Sequence, residues 1–236
     1  MLAESRNRVG YSAVAAEYYD ASKHSTCFSL RAASGIVLQP WIVDGCPTKI
    51  LEVGAGRSIV AEIAQKSALD VAVTITDASA EMLEHSRSFA SVQVCLAQAD
   101  ADSLPYETSS FDMLVASLGD PYNALSFWTE AHRVVRRGGL VLYTTPSFEW
   151  VSCYRLFAKK PIDSAEFEIS DGSVLHLPSR VLPIAAQIDE MESVGFSGIT
   201  LRHVALSDLS SPIATKLQVL RSSMSSVLTG FRLVNQ

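Results

Sequence analysis

The run Lys49-Ile50-Leu51-Glu52-Val53-Gly54-Ala55-Gly56-Arg57-Ser58 constrains the fold more than any other part of the chain. An apolar strand runs into a Glu-x-Gly-x-Gly turn, and an amphipathic segment follows over residues 59–67. Glycines at 54 and 56 let the backbone turn sharply and let a ligand approach where a Cβ would collide. The start of the next helix is expected to offer free N–H groups to that ligand. Such a strand–turn–helix unit predicts a nucleotide-type pocket at the carboxyl end of the first strand of an α/β sheet.

Strand and helix patterns alternate from there onward. Strands are expected at 49–53, 71–76, 92–97, 111–117 and 140–145, with helices at 59–67 and 80–88 between them. Asp120 and Pro121 read as the N-cap and first residue of a long helix, which Gly138-Gly139 ends. This alternation with short links requires right-handed crossovers and a doubly wound, mostly parallel sheet. The alternating run 167–176 around Asp171-Gly172 is a hairpin signal. Residues 180–194 read as a helix, 199–206 as a strand and 231–234 as a last strand. Ile213, Leu217, Leu220, Met224 and Val227 step as an apolar helical stripe. Without a linker or repeat, residues 1–236 are expected to form one domain. It comprises a helical cap (1–47), a core (48–146), an insertion (147–178) and a C-terminal part of sheet and helix (179–236).

Bulk composition narrows the function classes. The 48% hydrophobic content suits strands buried on both faces. A net charge of −6 gives no global field for a polyanion and counts against nucleic acid as partner. Cys27, Cys46, Cys95 and Cys153 are scattered, with no metal-ligand or disulfide spacing, so no metal is expected. The absence of a long apolar stretch and of a signal-peptide core predicts a cytoplasmic protein with no membrane partner. Two heptads of stripe are too short to argue a coiled coil, which leaves a monomer or homodimer.

The third position of a dinucleotide fingerprint is Ile59, where close helix–strand packing wants glycine, and no Gly-Lys-Ser/Thr follows for a P-loop. What remains is the glycine turn, an acid ending the second strand and an acid after the third. This combination resembles the class I S-adenosylmethionine-dependent methyltransferases over about residues 49–146. Leu104-Pro105-Tyr106 through Phe111-Asp112 and His132-Arg133-Val134 through Gly138-Gly139 resemble further motifs of that family.

The resemblance implies a seven-stranded Rossmann-like sheet with an N-terminal helical cap and a small inserted hairpin. It implies S-adenosylmethionine as cofactor and S-adenosylhomocysteine as product. Glu52, Gly54, Ala55 and Gly56 would border the methionine part of the cofactor. Asp77 would accept from the ribose hydroxyls, Ala78 and Met82 would flank the adenine, and Asp100-Ala101 would read its edge. Ser117 and Leu118 would line the cofactor after the fourth strand, and Tyr19 would close over it from the cap.

The expected reaction is methyl transfer to a small-molecule acceptor at O, N or C. His24 and Tyr122 are the candidate catalytic residues, His24 as base. Two alternatives remain open at this point. One is amine N-methylation on nucleic acid or protein through Asp120-Pro121-Tyr122; the other is a non-catalytic cofactor-binding partner protein. Arg155, Lys159 and Lys160 read as a solvated basic helix face.

Overall fold

The computed structural model describes residues 10–210, 212–219 and 225–236. Seven strands form one sheet in the order β3-β2-β1-β4-β5-β9-β8. Strands β1 (Lys49–Glu52), β2 (Ala72–Asp77), β3 (Val94–Gln98), β4 (Phe111–Ala116) and β5 (Val135–Pro146) pair in parallel. Strand β9 (Ser226–Asn235) lies antiparallel between β5 and β8 (Phe196–Ala205). The strands carry apolar residues on both faces because both faces are covered. Ile50, Met113 and Val115 face Leu38 and Ile42 of α1 (Ser25–Gly45) and Ile59 and Ile63 of α2 (Ile59–Lys66). Leu51, Leu114 and Ala116 face Phe127 and Trp128 of α4 (Leu125–Val134) and Met191 of α6 (Ile184–Ser193). A short helix α3 (Ala80–Glu84) follows β2, and α5 (Phe148–Ala158) follows β5.

Strand order reverses between β1 and β4, so their carboxyl ends part there and leave a crevice. Two further pieces roof it. One is the segment 10–24 that leads into α1. The other is the hairpin of β6 (Ser164–Glu168) and β7 (Val174–Pro178), whose turn places Gly172 at a φ of 84°. Tyr18 from the first stacks on Phe167 from the second, with ring centroids 5.8 Å apart.

The expected long helix and the expected apolar stripe both differ. The long helix from Asp120 does not form: Asp120–Tyr122 is a separate 3-10 turn, and α4 begins at Leu125 after Ala124. Asp120 therefore caps no long helix, and its carboxylate accepts instead from the Ser179 hydroxyl. That helix also ends earlier than Gly138-Gly139. Val135 is already extended and pairs with Phe111, because β-branched Val135 gains more from the sheet than from another helical turn. The stripe from 213 is not one helix: Leu217 lies in a 3-10 turn, Thr215–Val219, and Val227 belongs to β9. Leu220 and Met224 lie outside the described residues.

Candidate active site

The turn after β1 is built around one buried carboxylate. Glu52 is 1% exposed, and its oxygens accept from the Ser58 hydroxyl, from Ile59 N–H at 3.0 Å and from Val60 N–H at 3.4 Å. Ser58, the N-cap of α2, accepts in turn from Ala61 N–H at 2.9 Å. The Ser58 N–H donates to the Ser86 hydroxyl, and Arg57 N–H donates to the Tyr19 hydroxyl at 2.7 Å. The helix start thus has no free donors to offer, contrary to the expectation for this turn. A phosphate there would also meet Glu52, which burial nevertheless pushes up to a pKa of about 7. The site suits a ligand without phosphates.

Both glycines are left-handed, with φ of 60° at Gly54 and 49° at Gly56. A Cβ at Gly54 would fall 2.5 Å from the Tyr122 ring, and one at Gly56 would fall 2.2 Å from the Tyr19 hydroxyl. The close approach that demands glycine is made by the protein's own tyrosines.

A cavity of about 300 Å³ opens over this turn. Asp77 stands at its edge, 8% exposed, with one oxygen accepting from Gly56 N–H at 2.8 Å and the other from Ser79 N–H at 2.9 Å. A carboxylate has about four acceptor positions, so each oxygen retains capacity for a ligand hydroxyl. Burial raises the Asp77 pKa to about 6, against the pull of those two backbone donors. Ala78, Met82, Asp100 and Ala101 line the same cavity, as do Tyr19, Glu52, Gly54, Ala55, Ser117, Leu118 and Tyr122. Gly56 instead acts through its N–H on Asp77 and its contact with Tyr19. The Leu118 backbone is strained at a φ of 54°, and its N–H donates to Thr144 Oγ1, which shares a hydroxyl network with Ser34 and Ser117.

A second cavity, of about 400 Å³, adjoins the first. Tyr11, Tyr18, Cys27, Leu118 and Pro121 line both, so they form a common partition. Its other walls come from α1, α5 and the hairpin, including Leu30, Trp150, Tyr154 and Phe167. His24 lines this second cavity and not the first. It is 8% exposed, its Nε2 has no hydrogen-bond partner among the described residues, Glu17 Oε1 stands 3.9 Å from it, and burial lowers its pKa.

Tyr122 is placed differently from the catalytic role expected of it. Its hydroxyl donates to the Val53 carbonyl at 2.8 Å, and burial holds the phenol protonated, with its pKa well above the ordinary range. It is a wall of the first cavity rather than a proton acceptor. Arg155 is not on a solvated face: it is 8% exposed and donates to the carbonyls of Ile162, Ser164 and Ser179 and to the Ser179 hydroxyl. Ser179 and Arg180 reach the site from beyond β7. Their only sequence signal is that they follow Pro178 at the end of the hairpin. Among the described residues, no group of His, Cys, Asp and Glu side chains is placed to hold a metal ion. No described helix is long and apolar enough to cross a membrane.

Residues 50–139 match the family model described as a methyltransferase domain. No curated protein matches the chain. Solved structures share the fold at low identity. DhpI in complex with S-adenosylhomocysteine is 16% identical, covering 98% of this chain and 96% of its own, with a TM-score of 0.67. A structure described as a putative S-adenosylmethionine-dependent methyltransferase from Listeria monocytogenes is 12% identical over 88% and 99%, with a TM-score of 0.65. Geranyl diphosphate C-methyltransferase from Streptomyces coelicolor A3(2) is 12% identical over 85% and 78%, with a TM-score of 0.61. Residues 50–139 thus carry a methyltransferase domain, and the chain shares the fold of the class I S-adenosylmethionine-dependent methyltransferases. It is an enzyme, and S-adenosylmethionine is its methyl donor.

Proposed function

We propose that this enzyme methylates a small molecule held in the second cavity. The observation that carries this reading is the partition of Tyr11, Tyr18, Cys27, Leu118 and Pro121, which borders both cavities. Methyl transfer is an in-line displacement, so donor and acceptor sides must meet at one place, and alignment supplies much of the rate. The cavity of about 400 Å³ lies within the range of small-molecule sites. Its roof of cap and hairpin suits a compact acceptor better than a polymer, and the chain's charge of −6 agrees.

In this reading Asp77 holds the ribose hydroxyls, and Ala78, Met82, Asp100 and Ala101 surround the adenine. Glu52, Gly54, Ala55, Gly56, Ser117, Leu118, Tyr19 and Tyr122 frame the remainder. The bound donor supplies an electrophilic methyl group on a sulfonium. His24, whose Nε2 makes no hydrogen bond among the described residues, hydrogen-bonds the acceptor from the second cavity. The test is a screen of metabolite extracts for methyl incorporation from labelled S-adenosylmethionine, with mass spectrometry of the product. Labelled small molecules are expected; label found only in protein or nucleic acid, or nowhere, overturns the reading.

A further inference from the structure

The wall of the second cavity contains a buried carboxylate that caps no long helix and meets the Arg155 guanidinium only through Ser179. Asp120 is 8% exposed and lines this cavity beside Pro121, a residue of the partition. One of its oxygens accepts from the Ser179 hydroxyl at 2.6 Å. Ser179 accepts from Arg155 at 2.9 Å, and Arg155 is anchored on three backbone carbonyls, so it holds Ser179 in place. The Asp120 carbonyl accepts from Arg180 N–H at 2.9 Å, which ties the same turn to the end of the hairpin. Ser179 is the one side chain seen to hydrogen-bond the carboxylate among the described residues. Burying a carboxylate this way is costly, and such a group is retained where it has work to do.

Asp120 precedes Pro121 of the partition directly in the chain and lines the second cavity with it. The charge of Asp120 is felt by Tyr11, Tyr18, Cys27 and Tyr122, the residues that line or adjoin the partition.

We propose that Asp120 takes up the proton released by the acceptor, and therefore that the acceptor carries an O–H or N–H on its attacking atom. This rests on the small-molecule reading above. The acceptor's lone pair forms the bond to the methyl carbon, and the carbon–sulfur pair leaves with sulfur. The acceptor's proton passes to an Asp120 oxygen while its former bonding pair stays on the acceptor; the resulting carboxylic acid returns the proton to solvent. Asp120 is the catalytic residue of this step, and Ser179 and Arg155 are positioning residues. Burial raises the Asp120 pKa to about 6, which strengthens the carboxylate as a base while leaving it ionised at pH 7.

The test uses the intact protein and the acceptor found by the labelled-methyl screen of extracts. Asp120→Asn is expected to lower kcat by about 10²- to 10⁴-fold. Its S-adenosylmethionine affinity, read by calorimetry, should stay within threefold of wild type, which also certifies folding. If it loses affinity, Asp120→Glu replaces it, with kcat lowered at least tenfold by the displaced oxygen. Ser179→Ala should lower kcat about tenfold with little change in KM, and Ser179→Thr should restore it. Methylation of a thioether or a tertiary amine, which releases no proton, overturns the proposal. So does an Asp120→Asn enzyme within threefold of wild-type kcat. No labelled small molecule from the wild type instead counts against the small-molecule reading itself, which separates the two failures.

Discussion

The hydroxyl of Tyr122 donates a 2.8 Å hydrogen bond to the carbonyl of Val53, and its ring lies over Gly54. One side chain from the turn after β4 thereby seals the end of β1 against the floor of the cofactor cavity. The two strands whose ends part at the crevice are rejoined by this contact.

Gly54→Ala meets two obstacles at once. The φ of 60° disfavours any Cβ, and that Cβ would lie 2.5 Å from the Tyr122 ring. A loss of about 1–3 kcal/mol is expected from the backbone strain alone, together with loss of cofactor binding as Tyr122 is pushed aside. Tyr122→Phe keeps the ring and should cost about 1 kcal/mol, with S-adenosylmethionine binding retained. Urea denaturation and calorimetry read the two effects separately.

If Asp77 holds the ribose as proposed, it sets the pH range of cofactor binding. Its ionised form is the acceptor, and burial raises its pKa to about 6 in the free enzyme. Affinity for S-adenosylmethionine should be level above that pH and fall as pH drops through it, approaching tenfold per unit. Asp77→Asn should flatten the fall and weaken binding at pH 7.5 by tenfold or more. A titration by calorimetry between pH 5 and pH 8 checks both; unchanged affinity in the variant would refute the ribose placement.

Glu52 contributes to stability with the opposite sense to a surface carboxylate. Its folded pKa of about 7 lies above the ordinary value of 4.5, so the folded state binds the proton more tightly. That contribution is fully present below the unfolded pKa and is lost as pH rises toward 7. Wild type minus Glu52→Gln should therefore show a stability difference that declines between about pH 4.5 and 7. Denaturant melts at pH 5 and pH 7.5 give the sign, and a difference that grows with pH would contradict it.

Arg155→Leu removes the donors that hold the carbonyls of Ile162, Ser164 and Ser179. Because those acceptors are left without their partner, a loss of about 2 kcal/mol is expected. The loosening should be local to the hairpin, giving faster proteolytic cleavage between β6 and β7. Cleavage at the wild-type rate would show the arginine to be dispensable there.

What the sequence by itself determined was carried by neighbours along the chain. The apolar runs of β1, β2, β4 and β5, the glycines at 54 and 56 and the Asp at the end of β2 are local patterns, and they specify the parallel core and the donor side of the site. Only the tertiary structure decided that Glu52, turning back from the end of β1, and Tyr19, reaching in from the segment 10–24, consume the donors at the start of α2. It likewise decided the fate of Asp120 and Arg155. Helix-start chemistry and a basic run describe them along the chain, yet Ser179, 59 residues beyond Asp120, joins the two in one buried hydrogen-bond path. The apolar stripe after Ile213 failed for the same reason. Val227 lies in β9, which pairs with β5 and β8, and its carbonyl accepts from Ser147 N–H; no local periodicity encodes these partners, and pairing in the sheet outweighs helical spacing. Local spacing determined the parallel core and its glycine turn; long-range packing decided which side chains line the second cavity.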